Sequence, residues 1–503
     1  MDESTPVANR STDRILHLRQ PLQKKLFMWT AGQHDDQKRI GFWHPELRLT
    51  RRQVAKEWIQ TTLILCTFIL AILSIFWGAF LDVERKISNL DVWIVDFDGQ
   101  LTVYDDQTEP VFIGPHVVRA AEQAQAIAAP HITYTIMSPS HFNNDPLEVR
   151  RAIYNNAAWS AIVIQPNASA YLRQAVFTGD ASYDPKDCCQ SIYVEARDQV
   201  AVDSYLLPNL IAFETETAAS IGAAWTRYIL SNRTLELEVS MIPPQTLSPA
   251  VGFTKINLRP FGPPMATPAV TVGLIYLIIM AFFSFTFFMP THTHFVDEME
   301  PSNQHRKIYF RQLVLWKYTS TVSAYFFMSL AYSLVSLAFQ IPFSASPTSH
   351  TVPPPPGAAT TGYGHASFFI YWQINFIGMN ALGLACENMA MFLGQPYTAI
   401  WLIFWVISNV CTAFYPLELA PHFYRYGLAF PLHNIVQATR VVLFDTTKQH
   451  MGRHIGVLLC WWGVNSLLFP IAARWLRWKV CVKPLLPKVP EEAEKGSRTS
   501  SVV

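Results

Sequence analysis

From Thr61 to Leu81 the chain runs 21 residues without a single charge (TTLILCTFILAILSIFWGAFL). At 1.5 Å per residue such a run spans about 30 Å, the thickness of bilayer hydrocarbon. One run of this kind is also what a buried core helix shows, but this chain repeats it. After a long gap come 269–289, 318–341, 367–390, 397–415 and 455–473. Only 15% of the 503 residues are charged, where a soluble domain carries about 25%, and the deficit sits in these blocks. The expectation is a polytopic α-helical membrane protein of about six spans, one before the gap and five after it. Tryptophans cluster at the ends of the runs (Trp401, Trp405, Trp461, Trp462, Trp475, Trp478), as interfacial aromatic belts require.

Orientation follows from the short flanks. With the N-terminus in the cytosol, Arg48, Arg51, Arg52 and Lys56 precede the first run. Arg306, Lys307, Arg311 and Lys317 lie around the second loop, and Arg474, Arg477, Lys479, Lys483 and Lys488 follow the last run. The outer loop 343–366 has no Lys or Arg. Residues 1–56 then form a polar, disordered cytosolic tail, 82–267 an extracytoplasmic domain, 269–473 a five-helix membrane domain and 474–503 a second cytosolic tail. The N-x-[ST] sequons at Asn167 and Asn232 fall in the segment expected outside, which makes them glycosylation candidates.

The 82–267 segment has ordinary domain composition. Strands are expected at 90–97, 131–137, 158–164 and 191–196. Helices are expected at 114–128, 146–155, 168–177 and about 202–230. This alternation implies an α/β fold with a sheet covered on its faces. The Pro-rich stretch 241–268 reads as an extended re-entry into the membrane. Asp96 and Asp98 fall on one strand face beside an Asp-Gly turn, where capping and paired-carboxylate chemistry are the alternatives. Arg197 and Asp198 read as a strand-end ion pair.

Chemistry-bearing constellations are few. The net charge of +1 and the lack of a basic stripe argue against nucleic acid as a partner. No Ser-His-Asp pattern, metal spacing or G-x-x-x-x-G-K-[ST] loop occurs, so neither an enzyme nor a cofactor is expected, and the chain has no P-loop of its own. Adjacent Cys188 and Cys189 are poorly placed for a mutual disulfide, since neighbouring Cα atoms lie only about 3.8 Å apart. Within the runs, Gln373, Asn380 and Glu387 recur every seven residues on one helical stripe, and Asn409 adds a polar group to the next helix. A polar substrate path and interhelical hydrogen-bonding glue are the two readings of this set. Between the last two runs, Ile435, Val436, Thr439, Val442 and Leu443 share a face with Arg440 off it. They suggest an amphipathic interfacial helix or a re-entrant hairpin.

The stretch Ser74–Gly99 (SIFWGAFLDVERKISNLDVWIVDFDG), with GPHVV, AAWSAIVIQPNAS and YVEARDQ further on, resembles the fungal nitrosoguanidine-resistance family, also known as a domain of unknown function. The similarity covers about residues 50–480. It implies a plasma-membrane or endomembrane protein that raises tolerance to toxic compounds. The layout of one helix, an outer domain and five helices also looks like the membrane subunits of type-2 ABC exporters. Three functions follow as expectations: a permease-like exporter of toxic small molecules, a non-transporting protein acting on lipid organisation or trafficking, and a sensor or adhesion module. Beyond the lipid bilayer, the partners raised are a second copy in a homodimer and a separate ATPase.

Overall fold

The computed structural model describes residues 41–99, 111–126, 131–231, 242–297, 309–394 and 397–479. The sequon at Asn232 and the tails 1–40 and 480–503 lie outside them. The chain divides into two compact units, Met1–Ile69 and Leu70–Val503. In the first, Arg51 folds back to donate to the carbonyls of Phe42 and His44, closing a turn ahead of helix α1 (Arg48–Gly78), which crosses the unit boundary.

The second unit holds a five-stranded sheet and a helical bundle. The strands are β1 (Asp91–Asp96), β2 (Thr133–Met137), β3 (Ser160–Ile164), β4 (Cys189–Tyr193) and β5 (Phe253–Asn257), in the order β2-β1-β3-β4-β5. The helices around it are α2 (Ile113–Ala126), α3 (Pro146–Tyr154), α4 (Ala168–Thr178) and α5 (Leu207–Ser231). Alternation on β1 fills both faces. Val92 and Ile94 join Ile113, Val117, Leu172 and Trp225, whereas Val95 packs with Val149, Ile153 and Val163. Two features depart from the expected pattern. The strand β5 arises inside the Pro-rich stretch that was read as extended re-entry, and it pairs parallel with β4. The β3–β4 pair is antiparallel, with Ile164 opposite Cys189. The segment between them therefore returns the chain to an antiparallel neighbour instead of carrying it back for a parallel one, and β4 starts where β3 ends.

The bundle comprises α6 (Ile275–Asp297), α7 (Phe310–Ala338), α8 (Ser367–Leu393), α9 (Tyr397–Ala413), α10 (Pro431–Phe444) and α11 (Met451–Arg477). Among the described residues, five helical segments are long and apolar enough to cross a membrane: Pro45–Asn89, Pro264–Phe288, Phe310–Ala338, Gly364–Leu393 and Met451–Arg477. Tyr397–Ala413 is apolar but only 17 residues long, about 25 Å. It lies between Gly394, whose φ of +72° suits only glycine, and Pro416, which disfavours helix in the residue before it. Large apolar side chains such as Phe287, Phe327, Leu467 and Ile471 face outward from the bundle. In water that surface would be costly, and in lipid it is the expected one.

Helix α8 is the hub, buried on nearly every side. Its Gly383 admits the Tyr325 ring of α7 and Ala281 of α6, both within 2.7 Å of where a Cβ would stand, and Gly378 does the same for Ile435 of α10. Small residues at these positions let helix backbones approach closely. Gly463 has open space at the same position, so it carries no close contact. Helix α10 is not amphipathic: apart from Gln437 its residues are buried, Arg440 included.

Candidate functional site: polar groups inside the bundle

Asn375, Glu387 and Asn388 of α8 each meet a different residue of a neighbouring helix. Asn375 Nδ2 donates to Ser333 Oγ of α7 at 2.9 Å. Asn388 Nδ2 donates to Asn465 of α11, at 2.9 Å to the carbonyl and 3.2 Å to Oδ1. Asn380 Nδ2 bonds back to the Phe376 carbonyl, while its Oδ1 is buried without a partner. Glu387, 2% exposed, pairs with Lys317 of α7, 13% exposed, at 3.3 Å. The second carboxylate oxygen, Oε2, is buried and unpartnered. The ammonium also lies 5.0 Å from the Phe285 ring and 5.7 Å from the Phe469 ring. This pair stands about 10 Å, roughly two turns, inside the start of α7 and the end of α8.

Gln373 stands half-buried, so the stripe of Gln373, Asn380 and Glu387 exists as helical geometry but its members do not meet one another. Asn409 belongs elsewhere. Its Oδ1 accepts from Leu432 N at 3.2 Å and its Nδ2 donates to the Trp405 carbonyl, so it caps the start of α10. The residue missing from the sequence reading is Lys317. Counted there as a headgroup flank, it is instead the buried counter-ion of Glu387. A cation seven residues into an apolar helix was the available signal.

A second polar system ties α10 to the sheet. Arg440 Nη1 donates to Asp198 Oδ2 at 3.1 Å and to the Arg197 carbonyl at 2.8 Å, with both side chains buried. Arg259, 0% exposed, donates to Asp445 Oδ2 through Nε at 3.2 Å and Nη2 at 3.0 Å, and to the Thr348 carbonyl at 2.7 Å. Its guanidinium also stacks on Tyr154 at 4.9 Å. Asp445 ends α10 in the left-handed region, φ +51°. The local Arg197–Asp198 pair is thus replaced by partners far along the chain. Arg197 lies over the Trp159 ring at 3.8 Å and donates to the Ala158 carbonyl.

At the end of β1 the two aspartates cap. Asp96 Oδ1 accepts from Asp98 N at 2.9 Å. Asp98 accepts from Gly114 N at 3.2 Å, from Ser169 N at 3.0 Å and from the Ser169 hydroxyl, which joins the starts of α2 and α4. The Ser169 hydroxyl accepts in turn from Phe112 N and Ile113 N, each at 2.8 Å. Ser169 is also the third residue of the Asn167 sequon, and Asn167 itself is 7% exposed, with φ +60°, so a glycan there would require its side chain to turn out of its present place. Ser169→Ala is expected to lower stability by about 2 kcal/mol, because two buried amides and a carboxylate lose their shared partner. Chemical denaturation of the purified chain measures it.

Burial raises the Asp96 carboxyl to about 6, and the neighbouring Asp98 charge adds to the rise, against the lowering bond from the Asp98 amide. An unfolded aspartate titrates near 3.9. Between those pH values the folded chain holds a proton that the unfolded chain has lost, so stability falls as pH rises through about 4 to 6. Asp96→Asn is expected to raise stability by about 1 kcal/mol above pH 7, a value reduced for partial solvent screening. The gain should vanish below pH 4. Denaturation midpoints of both proteins across that range test the sign.

Outward apolar helices around a buried polar hub define a polytopic helical membrane protein in contact with lipid. The family described as Protein of unknown function (DUF3533) matches residues 61–467, and the chain belongs to that family. It is 24% identical over 463 residues to an uncharacterised endoplasmic reticulum membrane protein of Saccharomyces cerevisiae, covering 89% of this chain and 85% of the relative. No solved structure matches it.

Proposed function

We propose that the chain is a permease-like exporter that contributes to resistance to toxic small molecules. The observation that carries this reading is the Lys317–Glu387 pair, buried in apolar helices with one carboxylate oxygen left unpartnered. Ionisable groups at such depth are costly and mark ion or substrate pathways more often than they add stability. In this reading Tyr397–Ala413 is the sixth span and the sheet domain is extracytoplasmic. Both termini are cytosolic, and the resemblance to nitrosoguanidine-resistance proteins and type-2 ABC exporters supplies the substrate class. The yeast relative's name favours an endomembrane over the plasma membrane. Energy comes from a proton gradient or a separate ATPase, and a homodimer is the working unit.

The test is reconstitution in vesicles with a fluorescent amphipathic toxicant, with and without a proton gradient and with a cellular ATPase fraction. Protein-dependent efflux that Glu387→Gln abolishes is the expected result. No flux under any condition would sink the reading. It would leave the second one, a non-transporting protein acting on lipid organisation or trafficking, which the Asn375–Ser333 and Asn388–Asn465 bonds favour as interhelical glue. For topology, glycosidase treatment should shift the band of the wild type but not of Asn232→Gln. A shift that persists in the variant, or none in the wild type, counts against the glycan at Asn232.

A further inference from the structure

A cavity of about 330 Å³ lies where α9 ends and α11 begins, between these helix ends and the sheet domain. Its walls include Trp159 and Arg197 from the sheet side, Gln437 and His433 from α10, and Arg453 and His454 from α11. Two observations define its chemistry. The first concerns the histidines. His433 Nδ1 lies 2.9 Å from the Thr412 carbonyl, which can only accept, so this nitrogen carries the proton. His454 Nδ1 lies 2.8 Å from Asn434 Oδ1, and the Asn434 amide is oriented by donating to the Leu428 and Phe430 carbonyls. In the neutral form both rings are therefore held with Nε2 as the acceptor, and neither Nε2 has a hydrogen-bond partner among the described residues.

The second observation is the charge balance. Asp198 is neutralised by Arg440 at 3.1 Å and Glu418 stands 3.7 Å from Arg197. Arg453 is exposed to the cavity mouth and has no counter-ion within 4 Å among the described residues. The cavity thus offers one unneutralised guanidinium beside two acceptors that wait for O–H or N–H donors. We infer that it binds a singly charged phosphate monoester group, whose anionic oxygens suit Arg453 and whose remaining O–H suits a histidine Nε2. The volume exceeds a phosphate and leaves room for the atoms it esterifies. Its place at the ends of two apolar helices is the depth at which lipid headgroups lie. A lipid headgroup and a free phosphate share this chemistry. The inference is independent of any transport activity.

The test uses the purified full chain in detergent at about pH 5, one unit below the second pKa of a monoester, where it is largely a monoanion. Inorganic phosphate, dihexanoyl phosphatidic acid and dihexanoyl phosphatidylcholine are titrated calorimetrically against chloride of equal ionic strength. The expected result is saturable binding, one site per chain, of phosphate, phosphatidic acid or both. The affinity should fall at least tenfold in Arg453→Gln and stay unchanged in Arg425→Gln, an exposed arginine outside the cavity. Binding of phosphatidic acid alone assigns the site to a headgroup, and equal binding of phosphate assigns it to the free group. No saturable binding, equal affinity in Arg453→Gln, or phosphatidylcholine binding as tightly as phosphatidic acid overturns the proposal.

Discussion

Lys317→Met is expected to destabilise the protein by about 3–5 kcal/mol, the cost of removing one partner from a buried ion pair. The variant leaves the Glu387 carboxylate at 2% exposure, with one oxygen already unpartnered before the change. The converse change, Glu387→Gln, should cost less. The Lys317 ammonium keeps the Phe285 and Phe469 rings and the Met391 sulfur, 3.4 Å away. The double variant Lys317→Met/Glu387→Met should recover most of the loss, because an apolar pair of similar volume pays no desolvation cost. Unfolding of the three proteins in detergent measures these differences. A double variant no more stable than Lys317→Met would show that the site is not an isolated pair. If the permease reading holds, the double variant is folded but does not transport, which separates stability from function.

Arg259→Met should cost a similar 3–5 kcal/mol. This guanidinium is fully buried and binds Asp445 through two nitrogens and Thr348 through one, on the face of Tyr154. Its loss leaves Asp445 with the Thr348 amide at 3.2 Å and Lys448 at 3.9 Å. Arg259→Lys keeps the charge but not the planar fork, so it should still cost about 2 kcal/mol. Asp445 ends α10, so both variants should loosen that helix from the sheet. Hydrogen exchange of amides 431–444 reads this locally, and protection equal to wild type would mean that the clamp does not hold α10.

The membrane class and the α/β character of the segment after the first apolar run were legible in the sequence, because both rest on local periodicity. Uncharged runs of bilayer length and alternating apolar residues such as Val92, Ile94 and Ile162 need no tertiary information to be seen. The strand Phe253–Asn257 was hidden because its neighbours Pro249 and Pro260 signal irregular chain, and only its pairing with β4 makes it a strand. Helix α10 was misread for a related reason. An arginine beside an apolar face looks like a solvent-facing charge until its partner, Asp198, is known to lie on the other side of the contact.

The candidate site divides along the same line. Glu387, Asn380 and Asn409 could be picked from sequence as polar groups in apolar runs, but their partners could not. Lys317, Phe376 and Leu432 reach them by helix packing or local backbone geometry, and each assignment changes what the polar group does: ion pair, back-bond or helix cap. Sequence by itself determined which segments leave water, since transfer free energy is a sum over residues along the chain. The tertiary structure alone decided which buried charges are paired, because electrostatic energy depends on distances between groups that may be hundreds of residues apart.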